Sequence, residues 1–294
     1  MQASSPLIGA DDLLGRVRRG EAGLRILDCR WVLGERGVGR AAYAAGHLPG
    51  AVHLDIDDDL TDRDGFGAPG RHPLPEPAAF AERMRAIGLR DDDTVVAYDD
   101  LGGWVAARLW WMLGSLGHRR ARVLDGGIQA WRAAGGEVTT EVPTFPPTTP
   151  VELHLGDAWT GVIGREELKR RLGSVVLLDA RAGARYRGEV EPIDPVAGHI
   201  PTARSAPTDG TLVSPGGAFL PAPELAARFR ALGADGSEGP VVTSCGSGVS
   251  ATHHALALRA AGLPDPILYV GSFSDWSRSG EPVATGPDPG EPPR

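Results

Sequence analysis

Cysteine is nearly missing from this chain: Cys29 and Cys245 are the only two in 294 residues. Two thiols build neither a disulfide framework nor a four-cysteine metal site, but they leave room for one reactive thiol. Lysine is scarcer still, with Lys169 standing alone. Arginine carries the basic charge instead, a compositional bias that says little about mechanism. Basic residues are in the minority, 30 Lys and Arg against 38 Asp and Glu, for a formal net charge of −8. The chain therefore offers nucleic acid no basic stripe to follow. Long hydrophobic runs are also lacking, and no stretch reaches the roughly 18 to 20 apolar residues of a membrane span. The first twenty residues have neither the pattern of a signal peptide nor the Arg-rich, acid-free pattern of a transit peptide. A cytoplasmic protein without membrane or nucleic-acid partners is expected. With 41% hydrophobic and 23% charged residues, the remainder has the balance of a globular protein, and the length suits two domains at ~150 residues each.

The most informative feature is an internal duplication. LRILDCRW matches VVLLDARA, placing Asp28 beside Asp179. AAGHLPGAVHL matches VAGHIPTARSA, placing His47 beside His199. TVVAYDD matches PVVTSCG, setting Asp99 opposite Cys245, and VLDGGIQAWRAAGG matches LYVGSFSDWSRSGE, setting Trp131 opposite Trp276. The offsets are 151, 152, 146 and 145 residues, so order is kept and only loop lengths drift. A period this long means two copies of a domain. In each copy, short apolar or β-branched runs alternate with helical patterns. In the first copy the runs are residues 24–27, 51–54, 94–98 and 122–124, and the helices 11–19, 77–87 and 105–116. In the second they are 175–178, 241–244 and 267–269 against 165–172, 223–232 and 249–261. Such alternation predicts an α/β protein of two tandem domains, each a mainly parallel sheet with helices on both faces. The expected boundaries are 1–143 for the first domain, 144–160 for a proline-rich linker, 161–281 for the second domain and 282–294 for a flexible tail.

In open α/β sheets the reactive site lies beyond the carboxyl ends of the strands. The segment VVTSCGSGVSATHHALALRAAG fits that rule, with a strand, a glycine-containing loop over residues 245–250 and a helix. Gly246 and Gly248 allow successive backbone N–H groups to turn inward as an anion-binding nest, and the helix N-terminus adds positive potential. A thiol placed there is expected to have a lowered pKa and to attack as the thiolate. The plainer alternative makes Cys245 one more small buried residue.

The duplicated LD-x-R and GH-[LI]-P motifs, with the strand–Cys–loop–helix segment, resemble the tandem rhodanese family of sulfurtransferases over nearly the whole chain. The loop CGSGVS is similar to that of the 3-mercaptopyruvate sulfurtransferases, whereas thiosulfate-type rhodaneses carry basic residues inside the loop. The resemblance implies a double displacement, in which the cysteine thiolate takes a sulfane sulfur from a donor, becomes a persulfide and passes the sulfur to a thiol or cyanide. It implies no cofactor and no metal. It also makes the second copy catalytic, in accord with Asp99, a residue that cannot carry a persulfide, standing opposite Cys245. Gly246, Gly248, Val249 and Ser250 are expected to hold the substrate through the loop. Arg185, in ARYRGEVEP, is expected to bind the donor's carboxylate. A second arginine usually follows the EP of this stretch, and Ile193 stands there instead, with Arg187 or Arg204 as candidate substitutes. Ser247 matches a serine that works in the family with a His and an Asp from the first half of the chain. The matching residues are His72 in GRHPLP and Asp62 in LTDRD, a relay suited to moving a proton. The partners implied are a small anionic sulfur donor and a thiol or cyanide acceptor, with thioredoxin among the candidate acceptors; a monomer suffices.

The other conspicuous residues have structural readings. His47 and His199 recur in both copies and are expected to be architectural, while Asp28 and Asp179 are expected to tie down nearby backbone N–H groups. Trp104, Trp110 and Trp111 read as core and interdomain packing. His253 and His254, on neighbouring positions of one helix, point to different sides and make no metal pair. Cys29, opposite Ala180, reads as structural. Among rival functions, a phosphatase of related fold needs an arginine six positions after the cysteine, where Ala251 stands. A thiol protease needs a His–Asn pairing that nothing here motivates. Thiosulfate is the runner-up donor, and a non-catalytic sulfur carrier or docking module is the remaining alternative.

Overall fold

The computed structural model describes residues 5–62, 70–143 and 152–293. The expected linker falls partly on 144–151, outside the described residues. The chain divides into two compact units. The first is drawn from Met1–Asp62, Pro75–Thr160 and Leu212–Phe219, and the second from Arg63–Leu74, Gly161–Thr211 and Leu220–Arg294. Residues 70–74 thus group with the second unit, although they lie in the first half of the sequence.

The first unit runs β1 (Leu7–Ile8), α1 (Ala10–Arg18), β2 (Leu24–Asp28), α2 (Val38–Ala45), β3 (Val52–His53), α3 (Pro77–Ala86), β4 (Thr94–Tyr98), α4 (Ala106–Ser115), β5 (Ala121–Leu124) and α5 (Gly127–Ala133). Its five strands are all parallel, in the order β1-β5-β4-β2-β3. The central strand β4 is buried on both faces. Val96 and Tyr98 pack with Ile26, Leu13, Ile128 and Trp131 in one core, while Val95 and Ala97 point the other way and are equally buried. A strand flanked by layers on both sides is a near-continuous apolar run, and residues 95–98 supply it.

The second unit repeats the plan with β6 (Val162–Ile163), α6 (Arg165–Arg171), β7 (Val176–Asp179), α7 (Gly183–Tyr186), β8 (Arg204–Ser205), α8 (Ala222–Ala231), β9 (Val241–Ser244), α9 (Ala251–Ala260), β10 (Ile267–Tyr269) and α10 (Ser272–Trp276). Its parallel sheet has the order β6-β10-β9-β7-β8, strand for strand that of the first unit. Leu177, Val242, Tyr269, Phe273 and Trp276 form its principal core. The expected strands and helices are present, with ends displaced by one or two residues. The edge strands β1, β6 and β8 and the short helices α2, α5, α7 and α10 were not expected.

The recurrent motifs do the same work in each unit. Asp28 and Asp179 each grip the arginine two positions on, with Arg30 Nη2 and Arg181 Nη2 donating to the carboxylates at 2.6 and 2.7 Å. Each also accepts that arginine's backbone N–H. The expectation of a backbone tie holds, but the guanidinium is the larger partner. His47 and His199 place Nδ1 2.8 Å from the carbonyls of Tyr43 and Tyr186, whose rings they stack on at 3.8 and 3.7 Å. Both histidines are buried fasteners of local structure. Trp110 and Trp111 are buried, and Trp111 stacks on Trp159 within the first unit. Among the described residues, no helix is long and apolar enough to cross a membrane.

Candidate active site

Strand β9 ends at Ser244, and the chain turns through residues 245–250 into α9. Cys245 is buried at the head of this turn, 1% exposed. Its Sγ accepts the N–H of Gly248 at 3.1 Å, so the loop aims a backbone donor at the sulfur. Gly248 has φ +80°, and a Cβ there would lie 2.4 Å from the Val270 carbonyl oxygen. Both the left-handed backbone and the close strand approach require glycine. Gly246 is small for a different reason: a Cβ there would lie 2.9 Å from Arg71 Nη2.

The loop is held from behind by the start of α10. Ser272 Oγ accepts the Cys245 N–H at 3.1 Å and donates to the Tyr269 carbonyl at 2.8 Å. The N–H groups of Phe273 and Ser274 donate to the carbonyls of Cys245 and Gly246 at 2.9 and 2.8 Å. Ser272 does this at φ +52°, a left-handed conformation that costs a non-glycine residue about 1–2 kcal/mol. The first unit has Gly127 at the matching position, with φ +58°.

Two further groups reach the loop from the second unit's own residues. His72 Nδ1 lies 2.6 Å from Ser247 Oγ, with both side chains buried; the hydroxyl donates when Nδ1 is bare and accepts when it is protonated. Arg71, next to it in sequence, donates its N–H to Ser274 Oγ at 3.1 Å and its Nη1 to the Asp194 carboxylate. Arg185 stands on the same side of the loop, its Nη1 and Nη2 3.6 and 3.9 Å from the position a Gly246 Cβ would take. It donates to Glu191 at 2.7 and 3.2 Å and to Asp194 at 3.3 Å.

Asp194 is the hub of this charged group. Its carboxylate is wholly buried and accepts from Arg71, Arg185 and Arg278. Burial pushes the Glu191 carboxyl up, but bonds from Arg185 and from the N–H groups of Asp194 and Ile193 hold it below the usual range. Arg181 adds a bond to Glu191 at 3.4 Å besides its pairing with Asp179. Four guanidinium groups face three carboxylates, leaving one net positive charge beside the loop.

The structure thus brings together Cys245, Gly246, Ser247, Gly248, His72 and Arg185. Val249 and Ser250 complete the loop, both buried. Arg187 lies at the surface, its side chain 40% exposed and paired with Glu189 at 2.7 Å, and Arg204 is held by the Leu232 carbonyl and Glu238. Neither fills the place left by Ile193. Asp62 lies in the first unit, at the edge of residues 63–69, which are outside the described residues. The sequence reading passed over Arg71, Asp194 and Ser272. Only Ser272 had a signal, a serine facing a glycine across the duplication. His253 and His254 are both fully buried; His253 Nε2 lies 2.6 Å from Thr211 Oγ1.

The first unit shows the same turn filled differently. Asp99 follows β4 as Cys245 follows β9, and its carboxylate accepts four N–H groups. Leu101 and Gly103 donate to Oδ1 at 2.9 and 2.8 Å, and Val105 and Ala106 to Oδ2 at 2.7 and 2.9 Å. The turn is an anion nest, here occupied by the chain's own carboxylate. Burial pushes the Asp99 carboxyl up, and the four N–H groups offset this only in part.

The sequence profile of the rhodanese-like domain matches twice, at residues 10–134 and 164–279. The chain belongs to the rhodanese family. It is a tandem-domain sulfurtransferase, with Cys245 the single cysteine in a loop of this build. The rhodanese relatives include a Pseudomonas aeruginosa protein described as "Probable 3-mercaptopyruvate sulfurtransferase", 44% identical, with 97% of this chain and 99% of the relative aligned. The Bos taurus thiosulfate sulfurtransferase is 35% identical over 94% of this chain and 93% of its own. Among solved structures, the Leishmania major 3-mercaptopyruvate sulfurtransferase superposes with a TM-score of 0.81 at 31% identity, covering 95% of this chain and 75% of that one.

Proposed function

We propose that this rhodanese takes its sulfur from 3-mercaptopyruvate and passes it to a thiol or cyanide. The observation that carries the choice of donor is the charge beside Cys245. The loop itself contributes no charged side chain, and the arginines around it are largely neutralised by Glu191, Asp194 and Asp179. One net positive charge suits the monoanion of mercaptopyruvate; the second charge of thiosulfate would go uncompensated. The P. aeruginosa relative's description supports the same reading.

In the first half-reaction the Cys245 thiolate attacks the donor's sulfur. A new S–S bond forms and the C3–S bond breaks, its electron pair leaving on the three-carbon fragment as the pyruvate enolate. A proton on C3 completes pyruvate. His72 and Ser247 are the proposed proton route, since their hydrogen bond allows a proton to pass between ring and hydroxyl. Asp62 has the supporting role that the family resemblance implies. In the second half-reaction a thiolate or cyanide attacks the outer sulfur, the S–S bond breaks and the thiolate is restored. The Gly248 N–H, already directed at Sγ, steadies negative charge in both halves. Arg185 binds the donor's carboxylate. A cytoplasmic, monomeric enzyme with thioredoxin as one acceptor belongs to the same proposal.

Thiosulfate is the second reading, favoured by the three guanidinium groups gathered on Asp194 and by the bovine relative's name. The deciding experiment measures kcat/KM for both donors on one preparation, with Cys245→Ser as the blank and Cys29→Ala as the retained-activity control. A preference for mercaptopyruvate of tenfold or more, about 1.4 kcal/mol in transition-state stabilisation, upholds the proposal. The reverse preference overturns it, and no Cys245-dependent transfer from either donor would make the chain a carrier or docking module.

A further inference from the structure

Ser274, on α10, is no member of the proton route described above, yet it touches both stretches of chain that carry that route. We propose that Ser274 is a positioning residue for the reaction: it pins residues 70–73 to the reactive loop and so sets the approach of His72 to Ser247. The inference rests on the reading of His72 and Ser247 as the proton route, and it names what holds that route in register.

Ser274 is fully buried, and its hydroxyl is used twice. It donates to the Gly271 carbonyl at 3.0 Å, the back-bond a serine makes at the start of a helix. The oxygen's lone pairs are left to accept the Arg71 N–H at 3.1 Å. The backbone N–H of the same residue donates to the Gly246 carbonyl at 2.8 Å. Arg71 immediately precedes His72, and Gly246 immediately precedes Ser247. One residue therefore ties together the two peptide units next to the members of the route, which meet at 2.6 Å from Nδ1 to Oγ. Neighbouring Cα atoms are fixed at ~3.8 Å by covalent geometry, so a shift of either anchor is passed directly to that hydrogen bond.

The strip formed by residues 70–73 is built to lie close. A Cβ on Gly70 would stand 3.1 Å from both the Cα and the carbonyl oxygen of Gly271, backbone atoms that cannot turn aside. Glycine at 70 thus lets the strip reach the turn from which α10 starts. Pro73 and Pro75 have no N–H to give, so the Arg71 N–H carries more of the anchorage. The first unit grips its own covering segment in another way. Gln129 stands opposite Ser274 across the duplication, and its side chain donates to the carbonyl of Asp100, the counterpart of Gly246, at 2.9 Å. Leu212–Phe219, the segment grouped with that unit, is held by Asp125, whose Oδ1 accepts the Phe219 N–H at 2.8 Å. That segment contains no histidine. The serine grip occurs in the copy that has a histidine to place.

The test compares Ser274→Ala, Gly70→Ala, His72→Ala and the two double variants that add His72→Ala to each of the others, all with Cys29 replaced by alanine. Pyruvate release from 3-mercaptopyruvate with no acceptor present reads the first half-reaction alone, as a saturating rate and a half-saturation concentration. The rate at which iodoacetamide alkylates Cys245 reads the thiolate and requires no delivered proton. Ser274→Ala and Gly70→Ala each lower the saturating rate about tenfold or more, as misplacement of a reacting group does. Half-saturation and alkylation stay within about twofold of the parent. His72→Ala lowers the rate about a hundredfold or more, and adding either of the other changes costs less than about twofold further, because the hydrogen bond they align is already gone. Losses that multiply with His72→Ala, a saturating rate kept within about twofold in both single variants, or alkylation that falls as far as the rate would each make Ser274 scaffold alone and overturn the inference. A His72→Ala variant with unchanged rate instead overturns the proton-route reading on which the inference rests, and a parent that takes sulfur from thiosulfate and not from mercaptopyruvate overturns the donor reading.

Discussion

His254 offers a quantitative check on the packing beneath the reactive loop. It sits on α9 in the second unit, fully buried, with Phe229 edge-on at 5.9 Å. Burial lowers its pKa to about 4, against smaller upward pulls from the Ala206 backbone and the Asp179 carboxylate. In the unfolded chain the same imidazole titrates near 6.5. As the pH falls below 6.5 the unfolded chain takes the proton first, so stability that is complete above that pH is lost progressively down to about 4. The linkage amounts to about 1.4 kcal/mol at pH 5.5 and about 2.5 kcal/mol at pH 4.5. His254→Leu, a substitution of similar volume, removes the titration and keeps the packing. Urea denaturation of both proteins, followed by circular dichroism at pH 7.5, 5.5 and 4.5, isolates the effect, because the other titrating groups are common to both. The wild type should lose about 2.5 kcal/mol more than the variant between the two extremes. Parallel pH curves would refute the reasoning and mean that the imidazole is charged, or reached by water, in the folded protein.

Two further outcomes follow from the loop. Gly248→Ala should destabilise the second unit by about 2 kcal/mol or more, through a left-handed φ and a carbonyl that cannot move aside, whereas Gly246→Ala meets only the flexible end of Arg71 and should fold; chemical denaturation of each variant separates the two. Ser272→Ala keeps the strained φ and loses the bond to the Cys245 N–H, while Ser272→Gly loses the bond and relieves the strain. Both should lower kcat, with glycine about 1 kcal/mol the more stable, as read by activity and thermal melting side by side.

Much of this was legible because it is local or periodic. The two central strands read directly, from the β-branched and apolar runs TVVAY and VVTS. The reactive turn read from one cysteine between a strand and a helix with glycine at the right place. The duplication then exposed Asp99 as the group that fills the other copy. The edge strands β1, β6 and β8 were missed because two residues carry no period. Arg71 was missed for a deeper reason. Its residues 70–74 belong to the second unit despite their place in the sequence, and no pattern in GRHPLP announces that destination. Asp194 was hidden likewise: its importance lies in three arginines brought to it from residues 71, 185 and 278, a relation only the folded chain possesses.

Asp99 and Cys245 differ in whether the occupant of their turn can leave. Four N–H groups hold the Asp99 carboxylate, and that carboxylate is part of the chain, so the first turn stays filled for as long as the protein is folded. In the second copy the side chain at the head of the turn is a thiol, with the Gly248 N–H directed at its sulfur. One copy thus carries a permanent plug and the other a seat that can be loaded and emptied, and a single polypeptide holds both the fixed and the exchangeable form of one device.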